Sequence, residues 1–135
     1  MKNPRIGDVY YMRFDGDGHE QRGIRPAIVF QNNRGNIHSP NTIAIPLTTS
    51  IKKIEMPTHV LIHRYDSGLS RDSIALCECA QEISKEKILW FVTTLSREYM
   101  AKIAEASILA SCGISFIDKE ALNRIWNRAR KINTV

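Results

Sequence analysis

The chain lacks several features that would have settled its class early. No apolar run approaches the roughly 18 residues of a membrane span. The opening MKNPRIGDVYY has no hydrophobic signal core, which predicts a protein that is not secreted. Cysteine is scarce and odd in number (Cys77, Cys79, Cys112), with no CxxC spacing. The pattern excludes a disulfide framework and points to a reducing cytoplasm. There is no HExxH, no cysteine–histidine cluster and no phosphate-cradling glycine loop, so neither a metal nor a nucleotide cofactor is expected. Internal repeats, low-complexity tracts and flexible linkers are also missing.

What is present fits one domain of 135 residues with enough apolar content, 43%, to bury a core. The net charge of +5 suggests a nucleic-acid partner until its location is considered. Residues 119–135 hold Lys119, Arg124, Arg128, Arg130 and Lys131 against Glu120, leaving 14 basic and 13 acidic residues in the rest. The basicity belongs to the tail, and charge alone does not make the body a nucleic-acid binder.

Alternation and turn chemistry predict strands over Asp8–Phe14, Arg25–Gln31, Thr42–Leu47, Thr58–His63, Ser73–Cys79 and Ile88–Leu95. Pro46 suggests that the third is an edge strand or carries a bulge. The stretches DGDGHEQRG, NNRGNIHSPN, TTSIKKIEMP and RYDSGLSRD read as loops. After Ser96 the period changes. Tyr99, Ile103, Ala106 and Ala110 recur at helical spacing, with Ser96 as N-cap and Gly113 as stop. A second helix from Asp118 carries Leu122, Ile125, Trp126, Ala129 and Ile132 on one stripe, expected to pack on the barrel or across a dimer interface. The expectation is a single mainly β domain over 1–135: a small antiparallel barrel to residue 95, a helix over 96–113 and a basic amphipathic tail helix over 118–135.

Arg25 stands at a loop–strand boundary, and Pro26 biases it to extended geometry. Such boundaries present functional groups. Its guanidinium is permanently charged and suits a phosphate, but not proton abstraction. His19 has the intrinsic pKa for acid–base exchange near neutrality. If Ser73–Ala80 were a regular strand, Glu78 would share a face with Ile74, Leu76 and Ala80, where a carboxylate could titrate high. Solvation or an ion pair at the strand end is the alternative. His59 reads as a strand residue, His38 as a turn residue and His63 as a strand-end residue. None of the three has metal-ligand spacing.

In order, GDVY, GHEQRGIRPAIVFQNNRGNIHSP, IPLTTS, PTHVLI, GLSRDSIALCE and ISKEKI resemble the MazF/PemK (Kid) toxin endoribonucleases, over residues 5–117. The resemblance implies an SH3-like barrel of the PemK/MazF/CcdB type and a homodimer. It also implies cleavage of single-stranded RNA without a metal, and a cognate antitoxin as partner. One family pattern places catalysis on Arg25 and Thr48. A second uses His19 with an Arg and an acid on a later strand; Glu78 stands at the acid, but Leu76 replaces that Arg. Cys79 replaces a Gln that often follows the acid. Attack by the 2′-hydroxyl on phosphorus leaves a cyclic phosphate and a 5′-hydroxyl. Arg25 would stabilise the phosphorane and Thr48 would hold a non-bridging oxygen, while the base is His19, Glu20 or Glu78. Substrate contact is expected from the two long loops, through Glu20 and Gln21 to bases and through Thr49, Ser50, Lys52 and Lys53. A non-catalytic binder of nucleic acid or of gyrase on the same fold is the competing reading. The gyrase version expects a Trp-Gly-Ile-type terminus where this chain has ARKINTV.

Overall fold

A computed structural model describes residues 3–16, 22–51 and 55–132. Seven strands form it: β1 (Asp8–Asp15), β2 (Arg22–Val29), β3 (Asn41–Thr48), β4 (His59–Ile62), β5 (Ser73–Leu76), β6 (Gln81–Ser84) and β7 (Ile88–Thr94). Helices α1 (Asn33–His38), α2 (Arg64–Ser67), α3 (Arg97–Ala110) and α4 (Lys119–Ile132) join or follow them. All pairings are antiparallel, in the order β4-β5-β3-β2-β1-β7, with β6 also on β3. The sheet curls like a barrel without closing, since β4 and β7 remain as its two ends.

The curl follows from strands buried on both faces. On β1, Tyr10, Met12 and Phe14 join Ala27, Val29, Ala44, Ile83 and Ile88 in one core. Val9 points the other way, into a larger core with Ile28, Ile45, Ile62 and Ile103. Side chains alternate across a strand, so β1, β2 and β3 each serve both cores. Register shifts between β1 and β7, at Val9/Tyr10 and Tyr11/Met12, bend that edge.

Three strand expectations need correction. Pro46 is on no edge, because β3 pairs with β2 on one side and with β6 and β5 on the other. β6 takes Asn41–Ala44 and β5 takes Leu47–Thr48, so Pro46 falls in the gap between them, where a missing N–H breaks no ladder. The strand predicted over Ser73–Cys79 stops at Leu76, and Cys77–Cys79 form a 3₁₀ turn. β6 was not expected at all: it is four residues long and buries only Ile83.

The loop NNRGNIHSPN contains α1. Asn32 caps it by accepting from Gly35 N at 2.9 Å. Buried Asn36 donates to Gln31 O (2.8 Å) and accepts from the Thr42 hydroxyl (2.7 Å), tying the helix to β3. α3 begins as expected: the Ser96 hydroxyl accepts from Tyr99 N, and Tyr99, Ile103 and Ala106 are buried. The Tyr99 hydroxyl donates to Asp66 at 2.6 Å and accepts from His63 N, fixing α3 against β4 and α2.

α4 forms where expected, capped by Asp118 accepting from Ala121 N. Within one chain it does not pack on the barrel, the first of the two placements expected. None of its residues is buried, and Leu122, Ile125 and Trp126 are 49%, 50% and 66% exposed. Among the described residues no helix is long and apolar enough to cross a membrane.

Candidate active site

Arg25 and Thr48 lie on neighbouring strands, β2 and β3. The β2–β3 ladder pairs Val29 with Ala44, Ile28 with Ile45 and Ala27 with Pro46. Continued two residues past its last pair, that register would set Arg25 opposite Thr48, on the face that carries Ala27 and Pro46. The ladder itself ends at Ala27, so both residues lie beyond the last β2–β3 pair, and Thr48 pairs with Ile74 of β5.

Both side chains are half-buried. Arg25 Nε donates to Arg22 O at 3.2 Å, which orients the guanidinium. Among the described residues no carboxylate pairs with it. Thr48 Oγ1 accepts from Ser50 N at 3.2 Å, the local turn typical of a strand-end threonine. That bond uses a lone pair and leaves the hydroxyl proton to donate. Thr49 and Ser50 follow on the exposed side. Arg13 and Arg22 lie on the same β1–β2 hairpin, Arg13 opposite Ile24 and Arg22 opposite Asp15, on the face opposite to that of Arg25, which pairs with Met12.

Glu78 is not part of this grouping. β5 runs antiparallel to β3, with Ile74 opposite Thr48, so residues beyond Leu76 move away from Thr48. The regular strand that was to place Glu78 beside Ile74 and Leu76 ends before it, and Glu78 is exposed on the 3₁₀ turn. Its Oε2 lies 2.7 Å from His59 Nε2, whose side chain is only 5% exposed. Partial burial pushes the Glu78 carboxyl up. The hydrogen bond and charge of His59, with a backbone N–H, outweigh that and hold it below its ordinary value. Of the two readings that the sequence left open for Glu78, the ion pair is therefore the one observed, and its partner is His59, the first residue of β4. The two are 19 positions apart, and only the β4–β5 pairing of His59 with Leu76 makes them neighbours.

His19, Glu20, Gln21, Lys52 and Lys53 lie outside the described residues. Among the described residues no three His, Cys, Asp or Glu side chains are grouped to hold a metal ion. A cleft of about 610 Å³ exists, but between β4 and α3, with neither Arg25 nor Thr48 in its lining. Chemistry, not cavity size, therefore selects the Arg25–Thr48 end.

Residues 5–110 match the family described as PemK-like, MazF-like toxin of type II toxin-antitoxin system. The endoribonuclease EndoA of Bacillus subtilis (strain 168) is 39% identical over 111 residues, covering 82% of this chain and 96% of that protein. Among solved structures, MazF (Form-I) from Deinococcus radiodurans aligns with a TM-score of 0.69 at 20% identity, covering 81% of this chain and 96% of its own. An endoribonuclease in complex with its cognate antitoxin, from Mycobacterial species, aligns at 0.66 and 23% identity, covering 79% and 93%. The two structures speak for the fold. α4 lies wholly beyond the matched residues.

Proposed function

The chain belongs to the PemK-like, MazF-like toxins of type II toxin–antitoxin systems, and from that premise we propose that it is an endoribonuclease that cuts single-stranded RNA at the Arg25–Thr48 site. The observation that supports the reading most is the β2–β3 register, which, continued two residues past Ala27 and Pro46, pairs Arg25 with Thr48.

The reaction is transfer of the phosphorus from the 5′-oxygen of the next nucleotide to the neighbouring 2′-oxygen. The 2′-hydroxyl loses its proton as its oxygen attacks, the P–O5′ bond breaks, and the departing oxygen gains a proton. The products are a 2′,3′-cyclic phosphate and a 5′-hydroxyl. Charge grows on the non-bridging oxygens in the transition state. Arg25 meets that charge with two parallel N–H donors, and the Thr48 hydroxyl donates to one oxygen.

Arg25 stays protonated throughout, so another group must take the 2′ proton. Glu78 is engaged by His59 on a turn that leads away from Thr48. The base is thus His19 or Glu20, in the segment that joins β1 to β2 just before Arg22. Glu20, Gln21, Thr49, Ser50, Lys52 and Lys53 contact the RNA from the two long loops, with bases read in single-stranded form. A homodimer, a cytoplasmic setting and a cognate antitoxin complete the reading. EndoA is an endoribonuclease by name, and solved relatives include one bound to its antitoxin.

The mechanism is tested with an RNA bearing one 2′-deoxynucleotide on the 5′ side of a mapped cut. Cleavage at that bond should disappear while other sites are still cut. Continued cutting there would show that water, not the 2′-hydroxyl, is the nucleophile.

A further inference from the structure

α4 lies beyond the residues that match the family, and its side chains are sorted by chemistry around the helix. At about 100° per residue, Leu122, Ile125, Trp126, Ala129 and Ile132 fall on one side. Lys119 and Arg130 border this stripe beside Trp126, and Arg128, backed by Arg124, borders it beside Ile132. Glu120, the one acidic residue within the helix, stands about half a turn away, in the middle of the polar face between Asn127 and Lys131. Both edges of the stripe are therefore cationic, and the negative charge is set on the opposite side. The apolar surface extends into the link from α3, where Ile114 and Phe116 are 73% and 89% exposed. A monomer rarely leaves so large an apolar surface in water.

The charge map decides between the surfaces that could cover the stripe. Two α4 helices packed stripe to stripe would set cation against cation along their borders. An RNA strand would satisfy the cations and leave the aliphatic stripe in water. A surface with an apolar interior and a plane of anionic groups above it satisfies both at once. The stripe enters the acyl boundary, and the long bordering cations reach up to the phosphates. Trp126, at the edge of the stripe, falls at the headgroup level that indole prefers. Fourteen residues make about 21 Å of helix, short of the roughly 30 Å of a hydrocarbon core, so α4 would lie in the surface rather than cross it.

We propose that α4 binds the surface of an anionic phospholipid bilayer, its apolar stripe in the acyl boundary and Lys119, Arg124, Arg128 and Arg130 against the lipid phosphates. Selection for anionic lipid follows from charge. Five cations against Glu120 leave the helix at +4, and each cation near such a surface strengthens binding by about fivefold. The matched domain, residues 5–110, would then work at the membrane face instead of diffusing freely. The proposal goes beyond RNA cleavage and does not depend on it.

Flotation of the purified full chain with vesicles tests it, using phosphatidylcholine alone and phosphatidylcholine mixed with phosphatidylglycerol at physiological salt. The chain should float with the anionic vesicles and stay behind with the neutral ones. In a Trp90→Phe background, which leaves Trp126 as the one tryptophan, anionic vesicles should shift the emission to the blue and shield it from an aqueous quencher. Arg128→Gln with Arg130→Gln should weaken binding by at least about tenfold. Ile125→Glu should abolish it. No residue of α4 is buried, so both variants should melt as the parent does. Absence of flotation with anionic vesicles would overturn the proposal, as would binding that survives Ile125→Glu and so uses another part of this basic chain. Shielding of Trp126 by a single-stranded oligonucleotide but not by vesicles would overturn it in favour of a nucleic-acid surface. A Trp126 already shielded before any vesicle is added would overturn it in favour of contact between copies.

Discussion

Arg25 occupies a position that a sequence can single out but cannot partner. The arginine before Pro26 is visible in the primary structure; its neighbour Thr48 becomes visible only through the β2–β3 register. Replacing Arg25 with Ala should lower RNA cleavage by about 10²–10³-fold, the usual loss for one transition-state donor. Lys at this position should recover only part of it, because an ammonium cannot bind two oxygens in a fixed fork. Since Arg25 is half-buried and, among the described residues, bonds to a neighbouring carbonyl, the melting temperature should barely move. Rates and melts on the same preparations check both statements. At Glu78 the misleading signal was parity, which assumed a strand to Ala80. A folded-state carboxyl held below its ordinary value of 4.5 stabilises the fold above that pH, and the contribution disappears as pH falls through the lower folded value. Glu78→Gln should therefore cost under about 1 kcal/mol at neutral pH, given its 35% side-chain exposure, and nothing in strong acid. Melts of both proteins across the acid limb decide it; a difference that grows toward low pH would contradict the His59 pairing. The cysteines separate by environment. Burial raises the Cys77 thiol to about 11, whereas Cys112 is exposed. A thiol reagent should modify Cys112 promptly and Cys77 only on unfolding, as peptide mapping would show.

At the scale of elements, legibility followed the strength of each segment's own pattern. β1, β4, β7 and α3 have enough alternation or helical period to be read directly. β6, with one buried residue in four, does not. α1 is hidden for another reason: polar bonds from Asn32 and Asn36 hold it, not an apolar stripe. α2 is a single turn ending at Gly68, whose φ of 84° suits glycine. A Cβ there would also collide with the Thr93 side chain. Gly68→Ala should destabilise by about 1–3 kcal/mol, read from denaturant midpoints. Its distance in sequence from Arg25 and Thr48 predicts unchanged cleavage per folded molecule. The Ser96 cap on α3 offers a milder check, since Ser96→Ala should cost about 1 kcal/mol. A null effect would mean that α3 is held by Tyr99 and the core alone. The amphipathic pattern of α4 correctly announced a helix with a surface to cover. It carried no information on which surface: of the barrel and the dimer interface that were both expected, α4 does not pack on the barrel of its own chain.

The whole molecule joins a curled sheet, an ion pair on a turn leading away from Thr48, and a helix beyond the family's domain. The barrel-like architecture was legible because one small domain with many short strands has few other solutions. Half of the candidate site was legible as well, as residue types in the right order. The His59–Glu78 pair and the exposed face of α4 arise from register and packing, which the linear pattern does not contain. Whether this assembly is a nuclease is decided most directly by incubating the purified full chain with a long single-stranded RNA in excess chelator, beside Arg25→Ala of equal melting temperature, and mapping both ends of every product. Discrete cuts ending in a cyclic phosphate and a 5′-hydroxyl, lost in the variant, are the expected result. Intact RNA with the full chain, or equal cutting by Arg25→Ala, would contradict the central claim.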